Sequence, residues 1–353
     1  MMSSSSSSSP PPFAFPDPVP TLPMYDGTLH PSIGYGTYKV GFVPSSASES
    51  SSSSAPVVNA EDCVYDALSV GYRFLECAEF YGNERSVGNA ISRFLEDSGN
   101  KDNDQNKRRV LRKDLFLCSK VWSSTIEEGP DAVRRQFEKT LDDLQTDYLD
   151  MYLIHWPVPR GCHIKAYGVL QDLHREGRIR CIGVSNYSVE DYLELKEHYE
   201  GEVATGSGGE FVKPYVNQIE INPFLYRRDT INFFKEEGIL LQSYRSLRDG
   251  KSMDHPTLQR IGRSHAKTPA QILGRWCVQK DVVYTAKSVR RERMIENADV
   301  FNFFLTEDEM DELDSLTNDI ALDTFVDLYR KCVNRDTTMD GTMDGVKMAI
   351  TRG

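Results

Sequence analysis

A carboxylate, a phenol, an ammonium and an imidazole stand at the ends of three consecutive runs rich in aliphatic and aromatic residues. The first run, Gly71-Tyr-Arg-Phe-Leu-Glu76-Cys-Ala-Glu-Phe-Tyr81-Gly-Asn-Glu84, carries Glu76 and Tyr81. The second, Leu117-Cys-Ser-Lys120-Val-Trp122, carries Lys120, and the third, Tyr152-Leu-Ile-His155-Trp-Pro157, carries His155. A phenol with an ordinary pKa of about 10 donates protons slowly at neutral pH, and a nearby ammonium stabilises the phenolate and lowers that pKa. The ammonium needs a counter-charge, which Glu76 supplies. Taken singly, Tyr81 reads as a rim aromatic, His155 as a core histidine, and Lys120 with Glu76 as a structural ion pair. Their joint order favours an acid catalyst. Downstream, Lys287-Ser-Val-Arg-Arg-Glu-Arg293 is a basic run that suits one phosphate monoester, the arginine fork supplying paired hydrogen bonds. The alternative is a solvated helix face.

Groups from three separate runs can meet only if those runs are strands ending on one rim. Eight candidate strands follow one another: Ile33–Lys39, Tyr72–Ala78, Leu115–Val121, Leu149–His155, Arg180–Ser185, Tyr215–Ile221, Leu240–Tyr244 and Val282–Ala286. Most are separated by segments of 3.6-residue apolar spacing, such as Ala132, Val133, Phe137, Leu141 and Leu144. Strand alternating with helix predicts a parallel sheet, and eight units predict an α/β fold of the (β/α)8 TIM barrel type in a single domain. Functional groups then belong on the βα-loops. Ahead of the barrel, Leu22-Pro-Met-Tyr-Asp-Gly-Thr-Leu29 predicts a tight N-terminal hairpin that could floor it. Residues 1–20, rich in Ser and Pro, are expected to be disordered. The barrel is assigned to residues 21–320, and residues 321–353 to a C-terminal tail over or beside its mouth. Pro44–Pro56, Asp97–Arg109 and Gly201–Gly209 read as polar surface insertions.

The chain of 353 residues has 41 Lys and Arg against 53 Asp and Glu, a net charge of -12. That balance argues against nucleic acid as a partner, because phosphate contacts need clustered cations. Seven cysteines, an odd number placed singly, form neither a disulfide framework nor a paired metal-ligand spacing. Cys77 and Cys118 read as small buried thiols. Cys162 and His163 are adjacent but lack further ligand-spaced partners, so no metal is expected. No apolar run is long enough to cross a membrane, and residues 1–20 lack the apolar core of a signal peptide. A soluble, cytoplasmic monomer is expected.

The ordered fragments resemble the aldo-keto reductases. Tyr81, Lys120 and His155 match three of that family's four catalytic positions, and the likeness extends from about Gly36-Thr37 to about Leu313. It includes Gly183-Val-Ser185-Asn186, Asn217-Gln218, Lys287-Ser288, Arg293 and Glu296-Asn297. The resemblance implies that Ser185, Asn186 and Gln218 hold a nicotinamide carboxamide and that Tyr244 stacks on its ring. It implies that Lys287, Ser288 and Arg293 surround a 2′-phosphate, while Glu296 and Asn297 meet the adenine, so NADP(H) is the expected cofactor. There is no Gly-x-Gly-x-x-Gly fingerprint, and a Rossmann site is not indicated. The implied activity is reduction of a small-molecule aldehyde or ketone, with Tyr81 as general acid, His155 orienting the carbonyl, and Lys120 with Glu76 tuning Tyr81.

The chain departs from the family pattern at four places. Glu76 replaces the family's Asp, keeping the charge and adding a methylene; it is expected to pair with Lys120 still. After Tyr244 the usual Ser-Pro-Leu is replaced by Arg245-Ser246-Leu247 and a short loop to about Met253, which predicts an open cofactor cleft and a phosphate contact from Arg245. Tyr38 stands where many relatives have Trp, and Ala286 replaces a Pro. Tyr38, Phe80, Trp122 and Trp156 then form an apolar aromatic pocket suited to aldehydes or small ketones. Glu76 also supports a rival function, a low-turnover NADP(H)-binding regulatory or accessory protein on the same barrel.

Overall fold

Asp26 and Gly27 turn the chain back on itself, with Gly27 at φ +85° and the Asp26 carboxylate accepting from the Thr28 amide at 2.8 Å. The turn joins β1 (Thr21–Pro23) to β2 (Leu29–Pro31) in an antiparallel pair. His30 on β2 and Met24 in the turn are buried, so this hairpin closes the floor of the barrel. The computed structural model describes residues 15–41, 59–99, 109–158, 161–206 and 209–333, with side chains described as far as Asp327.

All eight expected strands form. They are β3 (Ile33–Gly36), β4 (Phe74–Glu76), β5 (Phe116–Val121), β6 (Leu149–Ile154), β7 (Ile179–Ser185), β8 (Val216–Glu220), β9 (Leu240–Tyr244) and β10 (Val283–Ala286). They pair in parallel and close into a barrel in the order β10-β3-β4-β5-β6-β7-β8-β9. Every residue of β6 is buried, as expected for a parallel strand covered on both faces. Strand β9 matches its expected span and β7 begins one residue earlier, while the other six expected strands are longer than the observed ones, most of all at the carboxyl ends of β3 and β4. There the chain leaves the ladder early, at Thr37 to Lys39 and at Cys77 and Ala78, to build loops that a strand pattern does not register.

Helices α1 (Ala60–Val70), α2 (Glu84–Gly99), α3 (Ser123–Glu128), α4 (Pro130–Leu144), α5 (Cys162–Arg175) and α6 (Val189–Thr205) follow the first five barrel strands. Then come α7 (Arg228–Glu236), α8 (Pro256–His265), α9 (Pro269–Gln279), α10 (Arg291–Ala298), α11 (Glu307–Asp314) and α12 (Asp319–Val333). Their ends carry ordinary signals, such as the Asn59 cap on α1 and the Thr268–Gln271 capping box with Pro269 on α9. Helices α2 and α4 touch through Gly88, where a Cβ would lie 2.2 Å from the Asp143 carbonyl oxygen.

The described chain begins at Phe15, earlier than the expected start near Thr21. Phe15 packs edge-on to Tyr72 at 5.2 Å between ring centres, and Val19 also rests on the core. Two apolar side chains therefore anchor a stretch that composition alone assigns to the Ser/Pro-rich segment. At the other end α12 sets Phe325 and Val326 against the protein, with the Arg227 guanidinium 4.4 Å from the Phe325 ring. Helix α12 thus lies beside the loops that follow β8 and β9, which is mouth side. The insertion at Pro44–Pro56 lies outside the described residues. In the other two, helices α2 and α6 run on to Gly99 and Thr205, and residues 100–108 and 207–208 lie outside the described residues.

Candidate active site

Register brings three of the four chemical groups to one rim. Glu76 ends β4 opposite Cys118, and Lys120 on β5 lies opposite Leu153 on β6, one residue before Ile154 and two before His155. Tyr81 is not on a strand; it closes a short 3-10 turn, Glu79–Tyr81, which Gly82 ends at φ +66°. Asn83 pins that turn to the neighbouring loop by donating to the carbonyls of Thr37 at 2.9 Å and Val40 at 3.0 Å. The Lys120 ammonium is fully buried and donates to the Cys77 carbonyl and to the Tyr81 oxygen, each at 2.9 Å, while forming an ion pair with Glu76. Thus Glu76 does hold Lys120 near the phenol.

The Glu76 carboxylate also reaches the phenol itself. Tyr81 donates its phenolic hydrogen to Glu76 Oε1 at 2.8 Å, so one carboxylate oxygen serves both Lys120 and Tyr81. Burial, followed by the charge and hydrogen bond of Glu76, pushes the Tyr81 phenol well above its ordinary value. This runs against the expectation that Lys120 lowers it: burial, and then a carboxylate in contact with the phenol, oppose the ammonium. Gly36 leaves space for the longer side chain, since a Cβ there would stand 3.3 Å from Glu76 Oε2.

His155 sits just past β6. Burial, and then the Lys120 charge, hold its imidazole well below the usual range, so it is neutral at pH 7. Its buried Nδ1 has no hydrogen-bond partner among the described residues. Trp122 meets the ring edge-on at 4.9 Å, and Phe80 stacks on Trp122 at 4.0 Å. Tyr38 joins them, 6.4 Å from Phe80 and 5.1 Å from Tyr81. Tyr38 is 43% and Phe80 49% exposed, so the aromatic wall is open to arriving molecules, whereas Trp156 is buried behind it.

A continuous cleft of about 1440 Å³ runs from this wall to the basic run, and it is lined by Tyr38, Glu76, Phe80, Tyr81, Trp122, His155 and Trp156 at one end. Ser185, Asn186, Gln218 and Tyr244 line its middle, and Lys287, Ser288, Arg293, Glu296 and Asn297 its far end. Of the expected residues, only Lys120 lies behind the surface rather than on it. In the middle, Asn186 takes φ +61° and donates to the His155 carbonyl at 3.1 Å, while Tyr244 donates to its Oδ1 at 2.7 Å. Ser185 donates to the Gln218 carbonyl at 2.8 Å. At the far end α10 begins at Arg291, so its amino terminus adds to the positive potential of Lys287 and Arg293. In a chain of net charge -12, this grouping of lysine, arginine and hydroxyl at one end of a deep cleft fits the phosphate of a dinucleotide.

Sequence reasoning missed several lining residues. Arg290 lies inside the basic run, and its charge was the available signal. Lys251 and Met253 come from the β9–α8 connection and Gln259 from the helix that follows it, a path no local pattern reveals. Arg245, expected to meet a phosphate, is turned to protein carboxylates, Glu220 at 2.9 Å and Asp249 at 3.2 Å. Among the described residues no group of three His, Cys, Asp or Glu side chains is placed to hold a metal ion. No described helix is long and apolar enough to cross a membrane.

Comparison with known proteins agrees with the fold. The model of the Aldo/keto reductase family covers residues 32–318. The glyoxal reductase of Bacillus subtilis is 35% identical over 299 residues, covering 85% of this chain and 93% of its own length. The crystal structure of an aldo/keto reductase from Brucella melitensis superposes with a TM-score of 0.68 at 32% identity, covering 84% of this chain and 99% of that one. The structure of a mutant of Gox0644 in complex with NADPH superposes with a TM-score of 0.69 at 29% identity, covering 86% and 95%. By fold and by sequence, the chain belongs to the aldo/keto reductase family.

Proposed function

We propose that this protein is an NADPH-dependent reductase of aldehydes or ketones, in which Tyr81 gives the proton to the carbonyl oxygen. The observation that carries the reading is the continuous cleft, with Tyr81, Glu76 and His155 at one end and Lys287, Ser288, Arg290 and Arg293 at the other. Bound there, NADPH supplies the hydride. The 2′-phosphate falls to the basic end, with Glu296 and Asn297 taking the adenine and Ser185, Asn186, Gln218 and Tyr244 the nicotinamide. His155, neutral, donates an N–H to the carbonyl oxygen, orienting it toward Tyr81. Lys120 steadies the phenolate left when the proton departs, and Glu76 neutralises Lys120 in its buried setting. The aromatic wall of Tyr38, Phe80 and Trp122 excludes water and admits apolar carbonyl compounds. The reading includes a monomer in the cytoplasm, in keeping with cysteines that are all free among the described residues.

The assay is NADPH oxidation across a panel of aldehydes and ketones. The Tyr81→Phe variant is expected to lose on the order of 10²- to 10⁴-fold in kcat while binding NADPH as tightly as the parent. Equal rates in both proteins would remove Tyr81 from the mechanism. One observation favours a second reading: the phenolic hydrogen is held by Glu76, as befits a low-turnover NADP(H)-binding regulatory or accessory protein. A single-turnover measurement of hydride transfer separates the two. A fast single turnover belongs to an enzyme, and a transfer slower than cofactor release belongs to a sensor.

A further inference from the structure

A line of polar side chains runs up the inside of the barrel from the floor hairpin to the cleft. It starts at His30 on β2, fully buried between the rings of Phe74 at 4.8 Å and Phe116 at 4.3 Å. His30 Nδ1 lies 2.7 Å from the Pro31 carbonyl, which can only accept, so Nδ1 carries the ring hydrogen. Nε2 is then a lone pair, and it takes a hydrogen from Gln242 Nε2 at 2.6 Å. Gln242 Nε2 also lies 3.3 Å from the Met151 sulfur, a weak acceptor. Gln242 Oε1 in turn accepts from Gln218 Nε2 at 2.9 Å.

The line has only one polarity. Reversing the Gln242 amide would set its oxygen against His30 Nε2 and demand a doubly protonated, cationic ring. Burial opposes that cation and holds the imidazole near a pKa of about 4. Each link therefore dictates the next, and Gln218 must spend an amide hydrogen downward on Gln242. Its Oε1 remains as an acceptor on a residue that lines the middle of the cleft.

We infer that His30 and Gln242 are positioning residues that orient the Gln218 amide as a hydrogen-bond acceptor, selecting an NH2 group on the cofactor's nicotinamide. This rests on the reading of Gln218 as a carboxamide contact. Neither residue touches the cofactor; both act through Gln218, from a part of the barrel that faces away from solvent. An oriented acceptor rewards a carboxamide and gives nothing to an acetyl group of the same shape.

The test is binding, read by quenching of intrinsic fluorescence, with three ligands: NADP+, its 3-acetylpyridine analogue, and 2′,5′-ADP, which lacks the nicotinamide. The parent protein is expected to prefer NADP+ over the analogue about five- to tenfold, the worth of one hydrogen bond. In His30→Met and Gln242→Leu that preference should fall below about twofold while 2′,5′-ADP binds as before. His30→Gln, which restores an acceptor close to the place of Nε2, should recover the preference. Retention of the preference in His30→Met and Gln242→Leu, with its loss in Gln218→Leu, would overturn the relay and leave the carboxamide reading standing. Retention in Gln218→Leu as well would overturn both. Loss of 2′,5′-ADP binding in His30→Met and Gln242→Leu, with no recovery in His30→Gln, would assign these residues to folding alone and overturn the inference.

Discussion

One methylene separates Glu76 from an aspartate, and it decides where the Tyr81 proton points. A shorter carboxylate anchored on β4 would still face the buried Lys120 ammonium but would withdraw from the phenol. With Glu76 in place, the phenol must leave a charged acceptor before it can serve a substrate, and burial together with that contact raises its pKa. The Glu76→Asp variant is therefore expected to raise kcat for carbonyl reduction by roughly five- to tenfold, the worth of one hydrogen bond released. A general acid must be protonated, so lowering its pKa moves the alkaline fall of kcat to lower pH. A rate profile of the variant that overlays that of the parent would show that the Glu76–Tyr81 contact has no part in turnover.

Among the elements, α2 is held to the barrel by a buried acid. Glu84, in its first turn, accepts from Ser119 on β5 at 2.6 Å and from Thr140 on α4 at 3.2 Å. Burial outweighs these hydrogen bonds and raises its carboxyl to about 7. The folded protein then keeps a proton that the unfolded chain releases from near pH 4.5 upward. This group's stabilisation is complete below that pH and is lost as pH rises toward 7, a change of about 3 kcal/mol. Glu84→Gln removes the slope. Urea unfolding at pH 5 and pH 7.5 should show the variant gaining about 2 kcal/mol on the parent between the two. Parallel stability curves would mean that Glu84 is charged in the fold at both pH values. Glu84 also marks the reach of local pattern: it reads as a motif neighbour of Tyr81, and nothing in its spacing discloses two hydroxyls from other elements.

At the scale of the whole molecule, an acidic protein has concentrated its useful positive charge at one end of one cleft. Arg293 lies in α10 and Lys287 just after β10, so both follow from the last strand of the barrel. Arg293→Ala is expected to weaken NADPH by about 10- to 100-fold and NADH by less than twofold, since only one of them carries the phosphate. Titration of both cofactors checks this, and an equal loss for the two would move the phosphate elsewhere. Rising salt should weaken NADPH in the parent more than in the variant, because screening acts on the charge that has been removed.

The amino-acid sequence by itself determined the eight strands, the barrel, the hairpin floor and the identity of Tyr81, Glu76, Lys120 and His155 as neighbours. Those features rest on periodicity and on residue order, which are local and one-dimensional. Only the tertiary structure decided which atoms touch: Tyr81 to Glu76, Arg245 to Glu220, His30 through Gln242 to Gln218. Such contacts join residues that are mostly tens to hundreds of positions apart, and they depend on side-chain reach and strand register to within an ångström. The anchoring of Phe15 on Tyr72 belongs to the same class. A run of serine and proline says little about one aromatic ring, until a partner surface folded elsewhere in the chain is there to receive it.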